Sequence, residues 1–182
     1  MPKTRCLTAS MLEVGMHFDA RLSFSREQVD QYCLLVGDHN AIHRDLDAAR
    51  MRFPDSADII VPGGLIQTTI SALFGTSFPG DGCLGLTFCP ERFRRPVYPG
   101  QEIDVTLTIA RVLRGGMIDM DIVLTDIDGQ LLANAKSRVV APDDAYYAWW
   151  HEPSMVSMKS AVDSDDNQET PTPSARFPAY GD

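Results

Sequence analysis

An α+β layer fold, with one buried helix against an antiparallel sheet, is what this chain of 182 residues predicts. Three runs in its second half alternate apolar and polar residues at period two, the pattern of strands covered on one face. Gly115-Gly116 and Asp128-Gly129 stand between those runs as hairpin signals. Upstream, Pro62-Gly63-Gly64 opens an apolar stretch with few charges, which reads as a helix buried on most sides.

Taken in order, residues 16–24 read as an opening strand. Ser25-Arg26-Glu27-Gln28 has the form of a capping box with Ser25 as N-cap. Val29, Tyr32, Cys33 and Val36 follow at helical spacing, and Gly37 is placed to end that helix. Residues 38–43 therefore form a loop leaving a helix C-terminus, and Asp45 can cap a short helix over about 46–52. Leu65, Ile66, Ile70, Leu73, Phe74 and Phe78 make the apolar surface of the central helix, which Pro79-Gly80 stops. The strands follow: Ile103, Val105, Leu107 and Ile109; then Ile118, Met120, Ile122 and Leu124; then Leu131, Ala133, Ala135, Ser137 and Val139. The small residues of the last run would let a helix approach closely.

After Pro142 the pattern fails. Tyr146, Tyr147, Trp149 and Trp150 form an aromatic cluster suited to docking on the body or on a partner subunit. From about 157 the chain is rich in Ser, Asp, Pro and Thr, a composition that predicts disorder. The expected division is a folded domain over 1–142 and an acidic extension over 143–182. That extension carries eight acidic and two basic residues, so −6 of the net charge of −9 belongs to it. The body is only mildly acidic, which argues against nucleic acid as a partner. No apolar run approaches the roughly 18 residues of a membrane span, and residues 1–16 lack the blocks of a signal peptide. A cytoplasmic location away from membranes is the expectation. The four cysteines, Cys6, Cys33, Cys83 and Cys89, form no Cys-x-x-Cys pair and read as free thiols. No His, Cys and carboxylate cluster has metal-site spacing, so no metal is expected.

The chemistry concentrates in Gly37-Asp38-His39-Asn40-Ala41-Ile42-His43, which sets a carboxylate and an imidazole five residues apart on one loop. A carboxylate and an imidazole converging on one water can add it to, or remove it from, a double bond. Taken alone, the pair is equally well a turn carboxylate and a loop polar group. The start of the central helix adds a second element. Free N–H groups and a positive dipole end make Gly63 and Gly64 candidate backbone donors to an oxyanion, with no side chains to block close approach. No Gly-x-Gly-x-x-Gly or P-loop accompanies them.

Three segments together carry a resemblance: 37–43 above, then Ile60-Val61-Pro62-Gly63-Gly64-Leu65, then Phe93-Arg94-Arg95-Pro96-Val97-Tyr98-Pro99-Gly100. In order and rough spacing the chain resembles, over about 15–142, the MaoC-like hydratases and dehydratases, which have the hot-dog fold. The resemblance implies a curved antiparallel sheet wrapped around a central helix, here about 64–78, and a homodimer or larger homo-oligomer. It implies reversible hydration of a trans-2-enoyl thioester to the (R)-3-hydroxyacyl thioester, with coenzyme A or phosphopantetheine entering only as part of the substrate and no separate cofactor. The family's catalytic Asp and His fall on Asp38 and His43, and its loop-holding Asn on Asn40. Which of the pair is acid and which is base stays open. Thr68 stands where a Ser is common early in the central helix, and keeps a hydroxyl toward substrate. Pro62-Gly63 replaces the His-Gly of many (R)-specific enoyl-CoA hydratases. Arg94 and Arg95 are candidates for substrate phosphates. Other readings are a dehydratase of carrier-protein-bound chains, with an acyl carrier protein as partner, a thioesterase, and a non-catalytic acyl-thioester binder.

Overall fold

The computed structural model describes residues 5–152. Five strands, β1 (His17–Leu22), β2 (Leu84–Phe93), β3 (Ile103–Val112), β4 (Met117–Asp126) and β5 (Leu131–Val140), make one sheet in the order β1-β3-β4-β5-β2. Every neighbouring pair is antiparallel. The α-helices among the described residues are α1 (Arg26–Val36), α2 (Leu46–Arg52), α3 (Gly63–Thr76) and α4 (Asp144–His151).

The period-two pattern does in space what it promises in sequence. Ile103, Val105, Leu107, Ile109, Ile118, Met120, Ile122 and Leu124 are all buried in one core with Ile66, Ile70 and Phe74 of α3. The other face carries cross-strand polar pairs at facing register positions. Asp19 accepts from Thr106 (2.6 Å), Arg21 pairs with Asp104 (2.8 Å), Asp119 with Arg138 (2.6 Å) and Asp121 with Lys136 (3.1 Å). Strand β5 departs from strict alternation. Leu124 faces Ala133 and Thr125 faces Leu131, so Leu132 is the extra residue of a bulge, and it is buried while Leu131 is half-buried.

Three expectations are corrected. Helix α3 ends at Thr76, two residues before the expected limit, although Phe78 beyond it is still buried. It is also not enclosed on most sides. Ile66, Ile70 and Phe74 form one buried stripe, while Thr68, Ser71, Ala72 and Thr76 are exposed. The sheet covers one helix face, and no described residue covers the other. The close approach of α3 is to β2 and not to β5: Phe74 and Phe88 have ring centroids 6.4 Å apart. The small side chains of β5 instead take their places in the core.

Strand β2 is unusual in being exposed along its whole length except for a half-buried Phe88. Its one sheet neighbour is β5. Helix α4 follows Pro142, where the sequence shows no apolar period; it buries no residue, so no stripe exists to be read. Asp143 accepts the Tyr146 N–H (2.8 Å), and the Tyr146 hydroxyl donates to Asp81 (2.6 Å). Tyr146 and Trp149 have centroids 5.3 Å apart. The expected disorder from about 157 lies outside the described residues. A second unit begins at His151, of which only His151 and Glu152 are described. Among the described residues no helix is long and apolar enough to cross a membrane.

Candidate active site

Helix α1 aims the first candidate side chain. Its capping box is complete: Ser25 accepts the Gln28 N–H (3.1 Å) while the Gln28 side chain accepts the Ser25 N–H (2.8 Å). At the other end Gly37 is left-handed (φ 70°), and the Asp38 N–H turns back to Cys33 O (2.9 Å). Asp38 Oδ1 then accepts the Asn40 N–H (3.0 Å), and Asn40 Oδ1 accepts the Ile42 N–H (3.4 Å), starting a single 3-10 turn over Ala41–His43. Asn40 thus shapes the loop twice, through its backbone and through its side chain.

His43 is buried, 8% exposed. Its Nδ1 lies 2.7 Å from Ile60 O. A carbonyl only accepts, so Nδ1 carries the hydrogen and donates it. In the neutral ring Nε2 is then the lone-pair nitrogen, and it faces Asp38 Oδ2 at 3.6 Å. The Ile60 N–H donates back to Ile42 O (3.0 Å), which fastens the two segments together. Two acceptors facing at that distance cannot bond each other, but both can receive from one water.

The next residues lead into α3. The Val61 N–H is tied to Val97 O (2.8 Å), and Pro62 O accepts from Leu65 and Ile66. The N–H groups of Gly63 and Gly64 have no partner among the described residues. The reason for the two glycines differs from the expected one. A Cβ on Gly63 would sit 3.2 Å from the Phe93 ring, and a Cβ on Gly64 would collide with the Tyr32 hydroxyl. The room left by the missing side chains is occupied by two aromatic residues of the protein itself.

A cavity of about 210 Å³ opens here, walled by His43, Gly63, Ile66, Phe53, Phe93 and Arg94, with Arg95 beside them. The structure therefore brings His43, Gly63, Arg94 and Arg95 together, with Asp38 reaching them through His43. Thr68 is apart: its exposed hydroxyl donates to Gly64 O (2.8 Å), one helical turn back, and does not line the cavity. The Arg95 guanidinium donates to the Gln130 side chain, whereas that of Arg94 has no partner among the described residues. Phe53 and Phe93 were not singled out from the sequence; Phe93 directly precedes Arg94-Arg95 in one of the three segments, which is the signal that could have found it. Tyr32 was visible only as one position of a helical period.

A larger concavity of about 640 Å³, lined by Thr8, Gly82, Gly116 and Tyr146 among others, has acidic side chains but no imidazole. His43, the imidazole that faces Asp38, lines the smaller one. Burial pushes the Cys83 thiol up to about 12 and raises Cys6 and Cys33 as well, while Cys89 is exposed. Among the described residues no group of three His, Cys, Asp or Glu could hold a metal ion.

Comparison with known proteins adds four findings. The family model described as MaoC like domain matches residues 9–126. The chain is 31% identical over 114 residues to a 3-hydroxybutyryl-CoA dehydratase of Methylorubrum extorquens, covering 62% of this chain and 70% of the relative. It is 28% identical over 96 residues to a mitochondrial 3-hydroxyacyl-[acyl-carrier-protein] dehydratase of Solanum lycopersicum, covering 53% of this chain and 55% of the relative. Among solved structures, an R-hydratase of Pseudomonas aeruginosa superposes with a TM-score of 0.69 at 24% identity, over 78% of this chain and 89% of that one. The expected hot-dog arrangement, an antiparallel sheet packed on a central helix, is borne out.

Proposed function

The chain belongs to the MaoC-like family, and from that premise we propose that it adds water reversibly to a trans-2-enoyl-coenzyme A, giving the (R)-3-hydroxyacyl thioester. The observation that carries the reading is the facing of His43 Nε2 and Asp38 Oδ2 at 3.6 Å, with Nδ1 held by Ile60 O. One water donates to both acceptors beside the β-carbon. Its oxygen bonds that carbon as Nε2 takes one of its protons, and the π-electron pair moves through the α-carbon onto the thioester oxygen. The imidazolium so formed, stabilised by Asp38, returns the proton to the α-carbon as the thioester carbonyl re-forms. Dehydration is the reverse, and water is the one co-reactant.

The enolate oxygen needs donors while it bears charge. We assign that role to the open N–H groups of Gly63, which lines the cavity, and Gly64 next to it, at the positive end of α3. Asn40 keeps the Asp38 carboxylate turned, with Oδ1 occupied and Oδ2 toward His43. Arg94 and Arg95 at the cavity take the phosphates of the carrier. Thr68 acts at one remove, by bonding the Gly64 carbonyl. We take 1–142 as the hot-dog domain, 143–182 as an acidic extension, and a homodimer as the working unit; the uncovered strand β2, with Leu84, Leu86 and Phe93 exposed, supports the last.

A second reading keeps the chemistry and changes the carrier to an acyl carrier protein, which the name of the Solanum lycopersicum relative favours. Turnover of matched coenzyme A and carrier-protein thioesters separates the two. The central test is Asp38→Asn and His43→Ala, each expected to lower hydration by about 10²-fold or more with the circular dichroism spectrum kept. Parental rates in both folded variants sink the site. Release of free thiol in place of hydration replaces it with a thioesterase.

A further inference from the structure

Resting on that reading and naming its substrate class, we propose that this chain acts on short acyl chains, and that Phe53 sets their length by closing the cavity at His43 against a second cavity beside it. The cavity at His43 holds about 210 Å³, less than the roughly 300 Å³ at which small-molecule sites ordinarily begin. At roughly 30 Å³ for a group the size of a water, that is room for about seven. A four-carbon 3-hydroxyacyl thioester has that many non-hydrogen atoms from its methyl carbon to its sulfur. Nor does the cavity run on along α3. Ile66 is in its wall, but Ile70 and Phe74, the next residues of the same stripe, are packed in the core and not in the wall.

The second cavity is where length could be gained. It measures about 480 Å³ and shares Phe53, Arg95 and Pro96 with the first, so these three form the partition. Beyond them, Pro54, Tyr98 and Leu132 would offer carbon surface to a longer chain. Arg94 lines only the first cavity, which leaves its side for the carrier. Within the partition, Pro96 is a rigid ring and the Arg95 guanidinium donates to the Gln130 side chain. The Phe53 ring is the third member, and the core does not depend on it. It is 39% exposed and lies outside the core, yet its backbone is fixed on both sides. Its N–H donates to Ala49 O (2.8 Å) at the end of α2, and its carbonyl accepts from the Ser56 N–H (2.9 Å). The Arg52 guanidinium lies over the ring, 5.8 Å from its centroid. A ring held in place without supporting the core can measure length: one methylene too many costs about 10- to 200-fold in kcat/KM.

Phe53→Ala removes the ring and joins the two cavities. With trans-2-butenoyl- and trans-2-octenoyl-coenzyme A, the parent should favour the shorter by about tenfold or more in kcat/KM, and the variant should raise the octenoyl-to-butenoyl ratio by about tenfold or more. Calorimetry with the saturated butanoyl and octanoyl thioesters, which cannot be hydrated, should show the same shift in the ratio of Kd values. Phe53→Leu, with a smaller apolar side chain, should move both ratios the same way by less, and serves as the test if Phe53→Ala does not fold. A parent without length preference, or a folded Phe53→Ala with the parental ratio, overturns the proposal, and so does an equal loss at both lengths. The two failures are distinguishable. If hydration proceeds but the ratio stays, the hydratase reading stands and Phe53 leaves it. If the binding ratio shifts while no thioester is hydrated, the role of Phe53 stands and the hydratase reading falls.

Discussion

His43 takes its orientation from a carbonyl seventeen residues along the chain. That bond decides which ring nitrogen holds a lone pair, and so what the ring can do toward Asp38. Asp119 is a carboxylate of the opposite kind, held in place by cations. Hydrogen bonds from Arg138, then from Arg111, keep it below the usual carboxylate range despite its burial. A carboxyl depressed in the native state stabilises the fold fully above its unfolded value near 4, and that contribution fades as pH falls through the lower native value. Asp119→Asn should therefore be less stable than the parent at pH 7, and the gap should narrow by about pH 3. Urea unfolding at the two pH values measures it, and an equal gap at both would show that the arginine pairing is not its source.

Among the elements, α1 has the most direct influence on the site, since the position of its last turn sets where Asp38 begins. Ser25→Ala removes one half of the capping box and should cost about 1 kcal/mol in urea unfolding. A larger drop in turnover than in stability would show that fraying at one end of α1 reaches Asp38 at the other. The capping box, the left-handed Gly37 and the Asp45 cap of α2 were all legible in the sequence, because each is an agreement between neighbours in the chain. Strands β3 and β4 were legible for the same reason. The bulge at Leu132 and helix α4 were not: the one depends on how β4 and β5 slide past each other, and the other shows no buried stripe. The open face of α3 was missed because its residues are small and weakly polar, which in sequence reads like a buried helix.

At the scale of the whole molecule, the uncovered length of β2 and the open face of α3 are the features one chain leaves unsatisfied. A second copy pairing along β2 would cover the first and remove a free sheet edge. Leu86→Lys, at a position 52% exposed in the single chain, should weaken self-association at least tenfold in sedimentation experiments. It should lower activity in proportion to the dimer lost. A parent protein that sediments as a monomer at every concentration contradicts the arrangement.

The sequence by itself determined helices α1 to α3 and strands β1, β3, β4 and β5, their capping residues and turns, the inward face of the central strands, and a loop that sets a carboxylate and an imidazole five residues apart. Each of these follows from periods and caps a few residues long. Only the tertiary structure decided that β2 lies beside β5, that Ile60 O chooses the tautomer of His43, and that Phe93 and Tyr32 fill the space above Gly63 and Gly64. Those contacts join residues from 17 positions apart, His43 and Ile60, to 56 apart, Leu84 and Val140. No local period encodes them; they form because burying one shared core repays the entropy of bringing distant segments together.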